Sequence, residues 1–270
     1  MPLFTTDHWE TGIAEVQPHD VLVRGHRVTE LIGHTTYAEM MYLVLTGRKA
    51  TSGQARVLDG LMISIMDHGI SPSTTVTRML ASYGVPIQVG IAAGVLTFGD
   101  IHGGAGQQLA YQLRDVIGKV AARGEVTEES IRAAAHDLVA ESRRLRRPLE
   151  GFGHPQHDGD PRTQVLMELA RAEGVYGSYC HLLACLEDEL QAATGRSLPA
   201  NIDGAAAALL LDLGLDPQFA RLMLIAPRTV GLAAHYAEEL EQGGAWRYVP
   251  TDQVTYTGAT STSDPSPSEA

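Results

Sequence analysis

The chain has 270 residues, of which 44% are hydrophobic and 6% aromatic, and its formal net charge is −12. That length allows one large domain or two modest ones with ample core, and the acidic balance argues against general nucleic-acid binding. The two cysteines, Cys180 and Cys185, share one apolar stretch. They suggest neither a disulfide framework nor a zinc site, and read as buried thiols in a reducing cytoplasm.

In chain order, the first residues, MPLFTTDHWE, have no basic flank and no apolar core, so no signal peptide is read there. DVLVRGHRVTEL, residues 20–31, reads as a small hairpin turning near Gly25. TTYAEMMYLVLTGRK follows as a helix: Thr36 and Glu39 form a capping box, and Gly47 offers a left-handed stop. SPSTTVTRMLASYG has Ser71 as cap, Pro72 at the first helical position and Gly84 as terminator. VPIQVGIAAGVLTFG is apolar all round and is expected to be buried. Its Gly90 and Gly94 make a smooth face for a close helix partner, from the same chain or across a dimer axis. At about 14 residues, this longest apolar run falls short of the ~20 that cross a bilayer, so a soluble cytoplasmic protein is expected. Helices are also read over 107–122, 127–147, 161–173, 178–194, 204–213, 216–226 and 228–242. The expected fold is therefore mainly α, with at least nine helices, a small N-terminal hairpin and no fixed-period repeat. The tail 257–270, rich in Ser, Thr and Pro, reads as disordered.

Ionisable residues gather at helix entrances, beside glycine or proline. In GFGHPQHDGDPR, residues 151–162, Asp160 is a good N-cap and Pro161 a good first helical residue. Arg162 then sits in the first turn, where a cation opposes the helix dipole. An anion shared by its guanidinium and the free N–H groups would account for it. His154 and His157 leave three readings of this loop open: a metal site, a catalytic loop or a polar turn. GDIHGGAGQQLA places His102 before a helix, MDHGISPSTTVTR places His68 before another, and LPANIDGAAAALLL places Asp203 at the mouth of a third. Taken alone, Asp203 reads as the N-cap of a helix starting at Gly204.

Taken in order, VLVRGHRVTELIGHTTYAEMMYLVLTGRKAT, DHGISPSTTVTRMLAS, IHGGAG, GFGHPQHDGDPR, NIDGAAAALL and APRTVGLAAHYAEEL resemble the citrate synthase superfamily over residues 12–256. The resemblance implies an all-α homodimer. Its large domain would comprise 12–106 and 221–256, its small domain 107–220, with the active site in the cleft between them. It implies His102, His154 and Asp203 as catalytic residues. In the condensing direction Asp203 takes a proton from the acyl-CoA methyl, and neutral His102 donates to the thioester oxygen. His154 protonates or polarises the keto acid carbonyl. The same groups run backwards cleave a 3-hydroxyacyl-CoA. His68, Arg162 and Arg228 match substrate-binding positions, and Arg247 falls near an arginine that the family supplies from the neighbouring subunit. No metal is needed for this chemistry, and His157 becomes optional. Arg143, Arg144, Arg146 and Arg147 precede the His154 loop. They read either as cations at a helix C-terminus or as a site for the phosphates of coenzyme A.

The sequence departs from the family pattern in places. The chain is shorter than a typical citrate synthase. Gly106 replaces a common asparagine, Asp100 a proline and Gly69 an acidic residue. The compact length, DHGISPS and GVLTFGDIHGGAG look more like the citryl-CoA lyase module at the end of ATP-citrate lyases and its stand-alone relatives. The implied reaction is cleavage of citryl-CoA, or a similar 3-hydroxyacyl-CoA, to acetyl-CoA and oxaloacetate. Citrate or 2-methylcitrate synthesis is the first alternative, and non-catalytic binding of a CoA ester the second.

Overall fold

The computed structural model describes residues 9–153 and 159–259. The chain begins with three short antiparallel strands, β1 (Ala14–Val16), β2 (Val21–Val23) and β3 (His26–Arg27). The expected hairpin is β2–β3, in which Val23 pairs with His26 across Arg24 and Gly25. Both turn residues have positive φ, 50° and 80°. Arg24 is held in this uncommon conformation by its side chain, whose Nε and Nη2 donate to the Val44 carbonyl at 3.0 and 2.9 Å. The hairpin is shorter than the sequence suggests, because Val28–Leu31 coils into a helical turn, α1.

Ten longer helices follow: α2 (Tyr37–Thr46), α3 (Ser52–Ile65), α4 (Pro72–Ser82), α5 (Ile87–Leu96), α6 (Ala105–Arg123), α7 (Glu128–Leu145), α8 (Pro161–Ala172), α9 (Ser178–Thr194), α10 (Ile202–Asp212) and α11 (Ala220–Gln242). The Thr36–Glu39 box opens α2 as expected, with Glu39 accepting from the Thr36 N–H at 2.7 Å. No helix is expected from the sequence over 52–65, yet Val57, Leu58, Leu61, Met62 and Ile65 form one buried face there. A second reciprocal cap opens α3 there: Thr51 accepts from the Gln54 N–H at 3.2 Å, and Gln54 accepts from the Thr51 N–H at 2.9 Å. The two helices expected over 216–226 and 228–242 are one. A single 3₁₀ turn, Pro217–Phe219, leads into α11, and Pro227 lies buried inside that helix. Proline removes one backbone hydrogen bond, but the tertiary packing around Met223 and Pro227 holds the helix through it.

The expectation that α5 is buried all round fails. Only Gly90 and Gly94 are buried, while Ile87, Val89 and Leu96 are exposed. The partners of the glycine face belong to the same chain. A Cβ at Gly90 would lie 3.1 Å from Tyr236, and one at Gly94 would lie 3.0 Å from both Leu232 and the Ser73 carbonyl. Bare backbone lets α4 and α11 press in on one side, and the opposite apolar side stays open.

The core centres on α10. Its Ala205, Ala207, Ala208, Leu209 and Leu210 are fully buried among α6, α8 and α9. Alanines in its first turns let the neighbouring helices close in, and fully buried leucines each contribute about 1.5–3 kcal/mol. The mouth of this helix is thus fixed by the most buried part of the molecule. Cys180 and Cys185 are buried free thiols whose pKa values are pushed up by burial. Among the described residues no helix is long and apolar enough to cross a membrane. Residues 257–259 carry no regular element, and the rest of the expected disordered tail lies outside the described residues.

Candidate active site

Five chain segments meet around the N-terminus of α10. Asn201, and not Asp203, is its N-cap: the Asn201 Oδ1 accepts from the N–H groups of Asp203 and Gly204 at 3.0 and 3.2 Å. The expected capping role of Asp203 is therefore wrong: the cap lies two residues earlier, since the helix begins at Ile202. Asp203 stands in the first turn with a carboxyl that takes no hydrogen bond among the described residues. A helix N-terminus favours the anion, and Arg162 and Arg228 favour it too. Burial is the larger effect and raises its pKa above the ordinary carboxylate value.

Asn201 also organises the segment that leads to His154. Its Nδ2 donates to the Gly153 carbonyl at 2.8 Å, and its N–H donates to the Gly151 carbonyl at 2.9 Å. The Gly153 N–H donates to the Pro199 carbonyl at 2.8 Å. Gly151 has φ 83°, and a Cβ there would lie 2.9 Å from the Gly204 Cα and 2.8 Å from Leu109. The two backbones touch with no side chain between them. His154 and His157 themselves lie outside the described residues.

Asp160 caps α8 as expected and does more besides. Its Oδ1 accepts from the Arg162 N–H and Nε at 3.1 and 2.9 Å. Its Oδ2 accepts from Arg162 Nη2 at 2.7 Å and from the Ile202 N–H at 3.1 Å. One anion for Arg162 is thus its own helix cap. Burial acts to raise the Asp160 pKa, but the Arg162 pair and the Ile202 N–H outweigh it and hold the carboxyl below its ordinary value. Arg162 Nη1 reaches the Ser64 carbonyl at the end of α3, 3.2 Å away.

His102 lies in the loop between α5 and α6. The Gly99 N–H donates to the His102 carbonyl at 2.9 Å, and the imidazole stacks on Phe98 with centroids 5.0 Å apart. Gly103, at φ 79°, packs against Leu224 of α11, where a side chain would collide. In the first turn of α6, a Cβ at Gly106 would lie 3.2 Å from the Asp203 carbonyl oxygen, so the His102 loop and Asp203 are held against each other through backbone. Burial lowers the His102 pKa, and the nearby Arg228 cation lowers it further. Its Nε2 is buried and has no hydrogen-bond partner among the described residues. A buried polar atom left unpaired in this way needs an explanation.

Arg228, on α11, is 4% exposed and donates from Nε to the Ile65 carbonyl at 3.0 Å. Burial lowers its pKa, partly offset by Asp67 and Asp203, and it stays charged. His68 follows Asp67 in the turn between α3 and α4, at the same end of α3. Thus His102, Asp203, Asp160, Arg162 and Arg228 converge. Arg247 does not join them within the chain, since it donates to the buried Glu239 at 2.6 and 2.8 Å. Arg143 and Arg144 occupy the last turn of α7, and Arg146 is its left-handed C-cap, at φ 53°. Arg147 lines a groove of about 520 Å³ between α6 and α7 that none of the other site residues lines. Among the described residues no three His, Cys, Asp or Glu side chains gather as a metal set.

The family model for the citrate synthase C-terminal domain matches residues 44–249. The chain belongs to the citrate synthase family. Among solved structures it is similar to the citryl-CoA lyase from Hydrogenobacter thermophilus, at 34% identity and a TM-score of 0.83, over 95% of this chain and 97% of that one. It shares the fold of the Methanothrix soehngenii ATP citrate lyase, solved with citrate and coenzyme A, at a TM-score of 0.77 and 17% identity, over 96% of this chain and 43% of that one. The Heyndrickxia coagulans citrate synthase is 26% identical over 83% of this chain and 57% of its own length. This family member thus spans between 35% and 57% of the length of the curated relatives it matches. The mainly helical fold with its small hairpin is the family's, as the motifs implied.

Proposed function

We propose that the protein is an acyl-CoA carbon–carbon lyase that splits citryl-CoA, or a similar 3-hydroxyacyl-CoA, into acetyl-CoA and oxaloacetate. The observation that carries this reading is the buried Nε2 of His102, which has no partner among the described residues and whose pKa burial lowers, in the same site as Asp203, whose carboxyl pKa burial raises. A neutral imidazole N–H donates to a developing enolate oxygen without delivering its proton outright. In cleavage, His154 takes the proton of the tertiary hydroxyl. The C–C electron pair moves to the thioester α-carbon as the ketone forms, and the resulting enolate oxygen rests on His102. Asp203, in its acid form, then protonates the α-carbon to give acetyl-CoA. A carboxyl with a raised pKa suits that step, and the same group in its basic form serves the reverse reaction.

His68, Arg162 and Arg228 are assigned to the carboxylates of the substrate, and Arg143, Arg144, Arg146 and Arg147 to the phosphates of coenzyme A. The large domain of 12–106 with 221–256 and the small domain of 107–220 would close over the substrate. We further propose a cytoplasmic homodimer in which Arg247 reaches the partner's site. The open apolar side of α5 (Ile87, Val89, Leu96) supports association, and sedimentation of an active monomer would refute it.

The near-complete mutual coverage with a citryl-CoA lyase supports cleavage, and the citrate synthases among the sequence relatives support condensation as the second reading. Incubation with synthetic citryl-CoA, followed by mass spectrometry, separates them. Acetyl-CoA plus oxaloacetate is the expected result. Citrate plus free coenzyme A above background would move the reading to a synthase. Binding of a CoA ester with no turnover would make the protein a non-catalytic member.

A further inference from the structure

One face of α11 docks on the end of α3 at successive turns. Arg228 bonds to the Ile65 carbonyl at 3.0 Å. One turn on, Gly231 lets the helix approach so closely that a Cβ would lie 2.9 Å from Asp67 Oδ2 and strike the Met66 carbonyl. One further turn on, His235 Nε2 lies 3.1 Å from the same Asp67 oxygen. The other Asp67 oxygen, Oδ1, accepts the Gly69 N–H at 2.8 Å, closing a tight turn over His68 in which Gly69 has φ 67°. The second nitrogen of His235, Nδ1, lies 3.4 Å from Arg78 Nη1.

Nε2 faces a carboxylate, which only accepts, so Nε2 donates to Asp67. Nδ1 faces the Arg78 guanidinium and, at 3.8 Å, the Glu238 carboxylate. Arg78 is itself pinned to α11 by Glu239 at 2.7 Å, by Gln242 at 2.6 Å and by Glu238. The result is a continuous chain from a buried arginine through one imidazole to the carboxylate that shapes the His68 turn.

We propose that His235 is a positioning residue: through Asp67 it fixes the backbone of His68 beside Arg228, on the side of the site that receives the substrate carboxylates. This rests on the reading of His68 and Arg228 given above.

The test uses the full chain with His235→Ala and His235→Gln, the latter restoring an N–H donor near the Nε2 position. Two quantities are read: hydrogen exchange at the Gly69 amide, and oxaloacetate affinity by calorimetry, with coenzyme A affinity as control. His235→Ala is expected to speed Gly69 exchange and to weaken oxaloacetate binding about tenfold each, the worth of one hydrogen bond, with coenzyme A binding unchanged. His235→Gln is expected to return both toward wild type. Equal losses in the two variants, or faster exchange with unchanged oxaloacetate affinity, would overturn the proposal, as would an alanine variant that moves neither. A wild-type protein that binds no oxaloacetate would instead refute the assignment of the carboxylate side. The clamp would then be judged by Gly69 exchange alone, and it fails if His235→Ala leaves that exchange unmoved.

Discussion

Replacing Asp203 with asparagine separates stability from chemistry, with opposite signs. The carboxyl takes no hydrogen bond among the described residues, and burial raises its pKa above the ordinary value. The folded state therefore holds its proton to higher pH than the unfolded chain does. Stability falls as pH rises from the unfolded pKa through the folded one, and above that the penalty of the buried charge is fully present. Asparagine keeps the shape and removes the ionisation. The variant should melt at or above the wild-type temperature at pH 7, and the difference should shrink as pH falls toward the ordinary carboxylate pKa of about 4. Proton exchange at the acetyl-CoA α-carbon should fall 10²–10⁴-fold, roughly 3–5 kcal/mol of barrier, the typical loss of one placed acid–base group. Thermal melts across pH and deuterium incorporation from heavy water measure the two halves. Wild-type exchange in the variant would remove Asp203 from the proton path. A melting temperature below wild type at pH 7 would show that the carboxylate stabilises the fold, and would refute the burial argument.

His102 should titrate below the ordinary histidine value, because burial and Arg228 both disfavour its cation; an NMR titration giving a normal or raised value would refute its role as a neutral donor. Gly106→Ala places a methyl 3.2 Å from the Asp203 carbonyl and should lower turnover by roughly tenfold through misplacement, with little loss of fold; unchanged turnover would show that this approach is not critical. Asp160→Ala strips Arg162 of its partner and frees the Ile202 N–H. A fully buried pair broken in this way costs ~3–5 kcal/mol; because Arg162 remains partly exposed, about 2–3 kcal/mol is expected, a fall of roughly 5–10 °C in Tm. Because the Asp160 pKa is held low in the folded state, that difference should disappear as pH falls through the folded pKa. Asn201→Ala removes the α10 cap and the bond to Gly153, and should cost about 1–3 kcal/mol together with much of the activity; full activity would show that the link to the His154 segment is dispensable.

Local chemistry was the legible part of the fold. Asp160-Pro161, Ser71-Pro72 and the Thr36–Glu39 box mark helix starts because capping is decided within four residues. The T-x-x-Q of Thr51 and Gln54 carries the same signal for α3, and Leu58, Leu61, Met62 and Ile65 add a buried stripe at helical spacing, so this helix too was legible from the sequence. Pro227 suggested a break where tertiary packing keeps α11 whole. In the site, His102, Asp203, Arg162 and Arg228 stand out as ionisable residues beside glycine or proline, and they do converge. Asn201 was readable as an N-cap two residues before Asp203, but the pull of the acid hid it. Other features are contacts between distant segments, such as Arg162 on the Ser64 carbonyl and Asp160 on the Ile202 N–H. No periodicity along the chain encodes these.

The contact of Gly151 with Gly204 has a consequence for how such a protein diversifies. There the segment leading to His154 and the helix bearing Asp203 meet main chain to main chain, so their spacing depends on no side chain. On the proposed function, variation around the pocket can change which acyl group or acid is admitted while the spacing of these two backbone segments is inherited unchanged. A library built to shift specificity should keep these two glycines constant, and randomising either should empty it of active members whatever the rest of the pocket holds.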